Sequence, residues 1–357
     1  MRVRWRRWRV RRALGKALAE AEEREFHVRS DPLVIFSDHH KGTNDGADDF
    51  LRCERCYNAA LAYYATLNYT LFVLGDAEEL MACSAREAAS YHRSTLELEA
   101  EFHKADRYER FWGNHDLVWG SPKKFAKFIG RQYFPGLSPR EGLKLRILGR
   151  DEKLGRDKEL GTLFLVHGHQ GTVFFHRTVS LVLRFGWRPM QNWIKFATTS
   201  PARDWKLRDS HDQILAEWAA DQPDLVLIAG HTHRPVFWDR EPTPDVAIRE
   251  AEAQESLREA TLIGGDEAVA QARALLEYVR AEIERVGAQV PDPPPTPCYF
   301  NTGCCSFSDG DITGLEIADE KIRLVRWSAK DGAPQREVLE HAEADLTEVF
   351  KAVKGGR

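Results

Sequence analysis

Short apolar runs recur along the chain, and each is followed at once by polar residues. The first run, residues 33–36, is partly β-branched and leads directly into Ser37 and Asp38. Runs of this kind predict strands that are buried on both faces. The same pattern recurs at residues 71–74, 108–112, 162–166 and 225–228. The sequence therefore predicts five strands that present His, Asp or Asn at their carboxyl ends.

Helical patterns and further strands lie between and after these runs. Residues 48–67 and 85–104 lack proline and glycine and space their apolar positions helically, which predicts βαβ units of an α/β protein. Residues 143–148 and 162–166 predict the arms of a hairpin. Two alternating strands are expected at 312–317 and 321–327, in a second sheet, and a surface helix with a frayed tail is expected from about residue 340.

Composition fits one large domain that carries insertions. The chain has 357 residues, of which 43% are hydrophobic and 30% are charged, and this is enough for a full core in a soluble protein. We expect a basic N-terminal segment at 1–30, the main domain at 31–339 and a C-terminal tail at 340–357. Two helical insertions are predicted within the domain, at about 173–205 and 245–290.

The first residues are strongly basic and contain tryptophan. Eight arginines and lysines precede the first acidic residue, Glu20, and Trp5 and Trp8 lie among them. Three interpretations stay open: an amphipathic helix at an anionic membrane surface, a nucleic-acid arm, or a solvated helix. A net charge of only -4 does not favour nucleic acid as a partner. Without a recognisable secretory signal, and with cysteines poorly spaced for disulfides, the expected location is the cytoplasm, with peripheral membrane contact through this segment as an option.

The polar residues that follow the strands are of the types that bind divalent metal ions. Carboxylate, imidazole and amide oxygen suit paired Mn, Fe or Zn ions, which a bridging carboxylate holds roughly 4 Å apart. Such a pair neutralises phosphoryl charge and lowers the pKa of bound water. An open α/β sheet collects side chains from the carboxyl ends of its strands at one edge. The pattern therefore predicts a metal site at that edge.

Together these polar blocks resemble the signature blocks of the calcineurin-like phosphoesterases. In chain order they are Asp38-His39-His40, Gly75-Asp76, Gly113-Asn114-His115-Asp116, His167-Gly168-His169 and Gly230-His231-Thr232-His233. Five blocks in the family's order are far more specific than any one of them. The resemblance implies a two-sheet αββα sandwich with helical insertions. It also implies a dinuclear metal-dependent enzyme that hydrolyses a phosphate monoester, diester or pyrophosphate through a metal-bound hydroxide.

By the same resemblance, the blocks supply seven metal ligands. Asp38, His40 and His233 would bind one ion. Asn114, His167 and His231 would bind the other, and Asp76 would bridge the pair. The expected metal is manganese, with iron or zinc as alternatives.

Four further residues are assigned around these ligands. His115 would be the catalytic histidine, a proton donor and charge stabiliser outside the metal shell, and Glu79 would orient it. Arg234 is a candidate contact to the substrate phosphate, with a surface arginine as the alternative. His169 is a candidate pocket residue. We expect His39 to lie behind the ligands or to face solvent rather than to bind a metal.

Several functions stay open within this resemblance. The His-Thr-His-Arg-Pro ending and the apolar segment 174–197 are similar to UDP-diacylglucosamine pyrophosphohydrolases, but those enzymes carry arginine where His115 stands. A DNA nuclease shares the blocks, although no extended basic surface is evident. A non-catalytic scaffold is the third alternative, yet no catalytic position is missing. The expected partner is a phosphorylated small molecule or a lipid-linked substrate.

Overall fold

Two mixed sheets of six strands each form the centre of the protein, as seen in a computed structural model. The structure describes residues 2–44, 48–151, 156–172, 205–237, 298–329 and 332–355, together with single positions between 257 and 280. Most of the predicted insertions, 173–205 and 245–290, therefore lie outside the described residues.

The first sheet carries the first three polar blocks. Its strands in spatial order are β12 (Gln335–Asp345), β11 (Lys321–Ser328), β10 (Ile312–Ala318), β2 (Leu33–Phe36), β3 (Thr70–Leu74) and β4 (Tyr108–Phe111). β2, β3 and β4 are parallel, whereas β10 pairs antiparallel with β2 and with β11. The carboxyl ends of the three parallel strands consequently meet at one edge.

The second sheet carries the remaining two blocks. Its strands in spatial order are β1 (Glu22–His27), β5 (Gly142–Asp151), β6 (Arg156–Val166), β7 (Leu225–Ala229), β9 (Tyr299–Thr302) and β8 (Pro235–Val236). β5 and β6 pair antiparallel, as the predicted hairpin requires, and β6, β7 and β9 are parallel. The blocks after β6 and β7 therefore emerge side by side.

Helices cover the outer faces of both sheets. In chain order they are α1 (Arg2–Glu20), α2 (Glu54–Thr66), α3 (Ala85–Tyr91), α4 (Arg93–Lys104), α5 (Pro122–Phe125), α6 (Arg131–Tyr133), α7 (Trp205–Ala220) and α8 (Leu346–Gly355). A 3₁₀ turn (Leu117–Gly120) precedes α5, and a π turn (Ala126–Gly130) joins α5 to α6. α2 and α4 lie on the first sheet, and α1, α7 and α8 lie on the second. The predicted αββα sandwich is confirmed.

The packing of β2 explains why its sequence is apolar at every position. Leu33 and Ile35 belong to the apolar cluster that includes strands of the second sheet, whereas Val34 and Phe36 pack on the opposite face with residues of α2. All four side chains are fully buried. A strand with a helix layer on one side and a sheet on the other has no face for polar residues, so the alternation of a half-exposed strand is missing.

Three predicted elements differ from the observed ones. α2 begins at Glu54 rather than at 48, because the Asp48 carboxylate accepts hydrogen bonds from the backbone N–H groups of Asn44 and Phe50 and holds this stretch in turns. The helix predicted over 85–104 is two helices that meet at His92. The helix expected from 340 starts at Leu346, since β12 continues to Asp345 through its pairing with β11.

Both ends of the described chain contribute to the core. Val10, Leu14 and Phe26 from the predicted N-terminal segment are buried, as are Leu346 and Phe350 from the predicted tail. The domain boundaries stay predictions. Within the described residues, no helix combines the length and the apolar character needed to cross a bilayer.

Candidate metal centre

The loops after β2 and β3 stay paired beyond the strands themselves. The backbone N–H of Asp38 donates to Gly75 O at 3.1 Å, and that of His40 donates to Asp76 O at 2.9 Å. Lys41 N–H donates to Ala77 O at 3.1 Å. This extended pairing sets the first block beside the second and holds the Asp38, His40 and Asp76 side chains together.

Five of the predicted ligands have left-handed backbone conformations. Their φ angles lie between 49° and 70°, at Asp38, His40, Asp76, His231 and His233. A non-glycine residue in this region costs of order 1–3 kcal/mol and persists only where its surroundings impose it. Such strain concentrated at the ends of three strands is typical of a functional site, and here it turns the side chains toward one pocket.

Potential ligand atoms fall into three overlapping groups, each within 4.8 Å. The groups are Asp38 with His40 and His233, Asp76 with His167 and His231, and His40 with Asp76 and His115. Asp76 is shared by the second and third groups. The structure thus brings six of the seven predicted ligands into these groups, and adds His115, which was predicted outside the metal shell.

Hydrogen bonds orient the ligands and select the atoms that face the pocket. His167 Nδ1 donates to Leu74 O at 2.8 Å, which directs Nε2 into the pocket, 3.1 Å from Asp76 Oδ2. Asp38 Oδ2 accepts from His231 N–H at 2.9 Å, which leaves Oδ1 toward the pocket. Asp76 Oδ1 accepts from His115 N–H at 2.7 Å, which leaves Oδ2 toward the pocket.

Four buried side-chain atoms of the predicted metal ligands have no hydrogen-bond partner. They are Asp38 Oδ1, Asn114 Oδ1, His167 Nε2 and His231 Nε2. Buried polar atoms are almost always hydrogen-bonded, because leaving one unsatisfied costs about 1–3 kcal/mol. All four are electron-pair donors of the types that Mn, Fe and Zn accept. The donor set therefore fits divalent cations, including Asn114, which belongs to none of the three groups.

The charges around the pocket shift the pKa of the ligands. Burial acts to raise the pKa of Asp76, but the neighbouring His167 and His115 hold it well below its usual range. Burial acts to lower the pKa of His167, yet Asp76 and Asp38 raise it to about 9. Burial keeps the pKa of His231 well below 6.5, so this imidazole is neutral, the form that binds metals.

Glu79 lies between two histidines at the more open side of the pocket. Its Oε2 is 2.6 Å from His115 Nδ1 and 3.0 Å from His40 Nδ1. Burial acts to raise the pKa of Glu79, but contacts with His115 and His40 lower it, so the carboxylate is charged. The His115 side chain is 22% exposed, against 5% for His40. His115 is thus held from behind by an anion and reaches toward solvent.

The two candidate substrate residues have different surroundings. The guanidinium of Arg234 is partly exposed, and its nearest nitrogen lies 3.8 Å from Asp212 Oδ2. His169 is buried against Trp112, with ring centroids 5.3 Å apart, and burial lowers its pKa to about 3. Arg234 is thus a partly exposed cation that pairs with Asp212, whereas His169 lines the wall behind His167.

His39 and the cysteines lie apart from the ligand groups. His39 is fully buried between Phe50 and Tyr57, so it does not face solvent, which was one of the two positions expected for it. In the part of the chain that the structure describes, the metal-ligand groups contain no cysteine. Cys53 donates to the carbonyl oxygens of Phe307 and Asp311 and acts as a packed thiol.

Two residues near the pocket were missed by sequence reasoning. Asp116 accepts from Gly113 N–H at 2.6 Å and from Ala77 N–H at 2.9 Å, and so ties the third block to the second. Its place directly after Asn114 and His115 was an available signal. His211 packs its ring 5.4 Å from that of His231, but it lies in α7 with no local motif to indicate it.

A buried ionic network supports the pocket from behind. Its four fully or almost fully buried members are Lys41, Glu78, Glu99 and Arg110. Arg110 donates to both Glu78 oxygens, at 2.6 and 2.5 Å, and Lys41 Nζ donates to Glu99 at 2.5 Å. Because Lys41 follows His40 and Glu78 precedes Glu79, the network fixes the backbone on which those site residues lie.

Comparison with known proteins gives the family. The segment 32–235 matches the family model described as calcineurin-like phosphoesterase. No curated protein matches the chain. Among solved structures, vacuolar protein sorting 29 from Cryptosporidium parvum covers 87% of this chain and 98% of its own, at 13% identity and a TM-score of 0.32, which is too distant to inform function. Because the family model spans more than half of the sequence, the chain belongs to the calcineurin-like phosphoesterase family.

Proposed function

We propose that the protein is a dinuclear metal-dependent phosphoesterase. The observation that carries this proposal is the set of four buried donor atoms without hydrogen-bond partners, gathered around Asp76. Buried donor atoms without hydrogen-bond partners are expected in a folded protein where a bound cation takes the place of those partners. Membership of a family of mostly metal-dependent hydrolases supports the same conclusion.

The ligand groups support the assignment of six of the seven predicted ligands to two ions, and the unpartnered Oδ1 of Asn114 supports the seventh. One ion would take Asp38, His40 and His233, and the other would take Asn114, His167 and His231. Asp76 would bridge them, since it is shared by two of the three groups. The mixture of carboxylate, imidazole and amide ligands suits manganese, iron or zinc.

When bound, two divalent ions neutralise the charge of a phosphoryl group and make water a stronger acid. The chain's own residues then position the substrate and move the proton. Arg234 would hold a phosphoryl oxygen through its guanidinium. His115 would give a proton to the leaving oxygen, while Glu79, 2.6 Å from its Nδ1, holds the imidazole in place.

The pairing of His115 with Glu79 favours catalysis over a scaffold role, because an inactive relative has no need to hold a histidine against a charged carboxylate. The presence of a histidine at position 115 also favours a general phosphomonoesterase or phosphodiesterase over the two more specialised enzymes. A UDP-diacylglucosamine-type pyrophosphohydrolase would be expected to carry arginine at this position, and a DNA nuclease to offer a broad basic surface.

A substrate screen on metal-analysed protein tests this proposal. Nitrophenyl phosphate, bis-nitrophenyl phosphate, a lipid-linked nucleotide diphosphate and single-stranded DNA would each be offered with manganese, nickel or zinc. We expect metal-dependent turnover of at least one phosphate ester, and a loss of about 10²–10⁴ in rate for His115→Ala with both ions retained. His27→Ala, which removes a half-exposed imidazole in β1, is the matched control. Full metal loading without turnover of any substrate would favour the scaffold.

A further inference from the structure

Helix α1 is fixed to the protein by one face. Val10, Leu14 and Ala17 are at most 3% exposed and belong to the apolar cluster of the core. Their i, i+4 and i+7 spacing places them on one side of the helix. The basic N-terminus is therefore not a free tail, and its opposite side is held outward in a defined orientation.

The outward face of α1 combines exposed indole rings with cationic side chains. Trp5 is 57% exposed and Trp8 is 54% exposed, and Arg12 and Lys16 continue the same stripe at helical spacing. The stripe is about 16 Å long at 1.5 Å per residue. Arg9 lies with its guanidinium carbon 4.5 Å from the Trp5 ring centroid, and Arg12 lies 5.3 Å from that of Trp8. Large apolar rings and positive charge thus share one narrow surface.

Acidic residues beside this stripe are already paired with other arginines. Arg7 lies 3.1 Å from Glu217 of α7, and Arg11 pairs with Asp221 of the same helix. At the far end Lys16 lies 3.8 Å from Glu20. The acids of α7 are therefore occupied by the flank of α1, and they do not cancel the charge of Arg12 on the outward face.

We propose that α1 binds the surface of an anionic lipid bilayer, with Trp5 and Trp8 at the headgroup level and Arg12 and Lys16 near the lipid phosphates. At the headgroup level the apolar ring of tryptophan contacts lipid, while its N–H can donate a hydrogen bond to polar groups. Basic residues near an anionic leaflet add attraction that falls with salt. A nucleic acid fits less well. Its phosphate backbone offers no apolar surface to Trp5 and Trp8, and guanidinium groups already cover ring faces on which bases would stack.

The helix also reaches the metal centre. The Arg6 guanidinium lies 3.5 Å from His211 Nδ1, and the His211 ring packs against that of His231. A Cβ atom on Gly171, in the loop after His167, would come within 2.7 Å of Val10 Cα. Docking through α1 would thus hold the pocket beside the bilayer. The proposal itself does not depend on the proposed enzyme activity.

Vesicle co-sedimentation of the full chain tests the proposal. The vesicles would contain either equal parts of phosphatidylglycerol and phosphatidylcholine or phosphatidylcholine alone. We expect binding to the anionic vesicles only, weakened by salt. Two double variants, Trp5→Ala with Trp8→Ala and Arg12→Glu with Lys16→Glu, should each reduce the partition coefficient by roughly tenfold or more.

Matched controls separate the stripe from general charge and hydrophobicity. Lys123→Glu with Lys127→Glu makes the same charge change on another exposed surface, and Tyr91→Ala removes an aromatic ring that is 55% exposed. Both controls should bind as the wild type does, and thermal unfolding should show every variant folded. Equal loss in the controls, no binding to anionic vesicles, or binding to duplex DNA without binding to vesicles would each overturn the proposal.

Discussion

Gly113 lies so close to Asp76 that a Cβ atom at Gly113 would come within 2.1 Å of Asp76 Oδ1. The same oxygen accepts a hydrogen bond from His115 N–H, so the third block closes around the carboxylate of the second. No real Cβ atom tolerates such a separation, and the carboxylate or the loop has to move if a side chain is added. Glycine at this position is a requirement of the proposed bridging ligand.

Gly113→Ala should therefore impair the site while leaving the fold intact. We expect phosphoesterase activity to fall by about 10²-fold, because a displacement of about 1 Å in a positioned group has that effect. Gly120→Ala is the control, since its nearest neighbour would be Trp112 at an ordinary 3.4 Å. Steady-state kinetics with circular dichroism would check the prediction. Full activity in Gly113→Ala would show that the Asp76 position is not critical.

Glu79→Gln should lower activity through His115. The amide keeps the shape of the carboxylate but removes the negative charge that holds the His115 imidazole, so we expect a loss of about 10–100-fold. If Glu79 acts only through this histidine, adding the substitution to His115→Ala should cost little more. A double-mutant cycle on kcat/KM measures this. Fully additive losses would mean that Glu79 acts elsewhere, for example on His40.

Arg110→Met should destabilise the protein strongly. The substitution removes the cation that is bonded to Glu78 and Glu99 and leaves buried negative charge behind. Breaking a buried pair in this way costs about 3–5 kcal/mol. Urea unfolding would measure the change against Arg93→Met, which breaks only an exposed i,i+4 pair. A difference of under about 1 kcal/mol between the two variants would contradict this account of the network.

The contribution of His92 to stability should depend on pH. Burial acts to lower the pKa of His92, but hydrogen bonds to Asp48 and Glu54 raise it above 6.5. A group whose pKa is raised on folding contributes its full stability below its unfolded pKa and loses it as pH rises through the folded value. The difference in unfolding free energy between wild type and His92→Gln should thus shrink as pH rises above about 6.5.

Urea unfolding of both proteins across that range would test this pH dependence. Asp48 and Glu54 have lowered pKa values, so their part of the interaction is lost in acid and the gap should also narrow there. A gap that grows steadily with pH would show that His92 is stabilised in its neutral form.

The sequence predicted the strands and the blocks because both depend on local patterns. A run such as Leu33 to Phe36 is apolar at every position only where both faces of a strand are covered. The polar residues after it must lie at the end of that strand, because they follow it directly in the sequence. Edge strands were missed for the converse reason. β1 and β12 are mostly polar and partly exposed, so they lack the pattern of a buried strand.

Other features depend on contacts between distant parts of the chain. Lys41, Glu99 and Arg110 come together from three elements, and no spacing in the sequence indicates it, although an arginine inside the otherwise buried β4 was an isolated signal. His211 reaches the site from α7 through tertiary packing alone. Substrate choice was not predictable, because it depends on segments flanking the pocket that carry no motif.

The most direct test of the central claim is the metal content of the purified protein measured together with its hydrolysis of bis-nitrophenyl phosphate and nitrophenyl phosphate. We predict two ions per chain, with metal-dependent turnover, for the wild type. Asp76→Asn should lose most of its bound metal and at least about 10²-fold in activity. A wild-type chain that binds no divalent metal, or an Asp76→Asn variant that keeps both ions and full activity, would contradict the account.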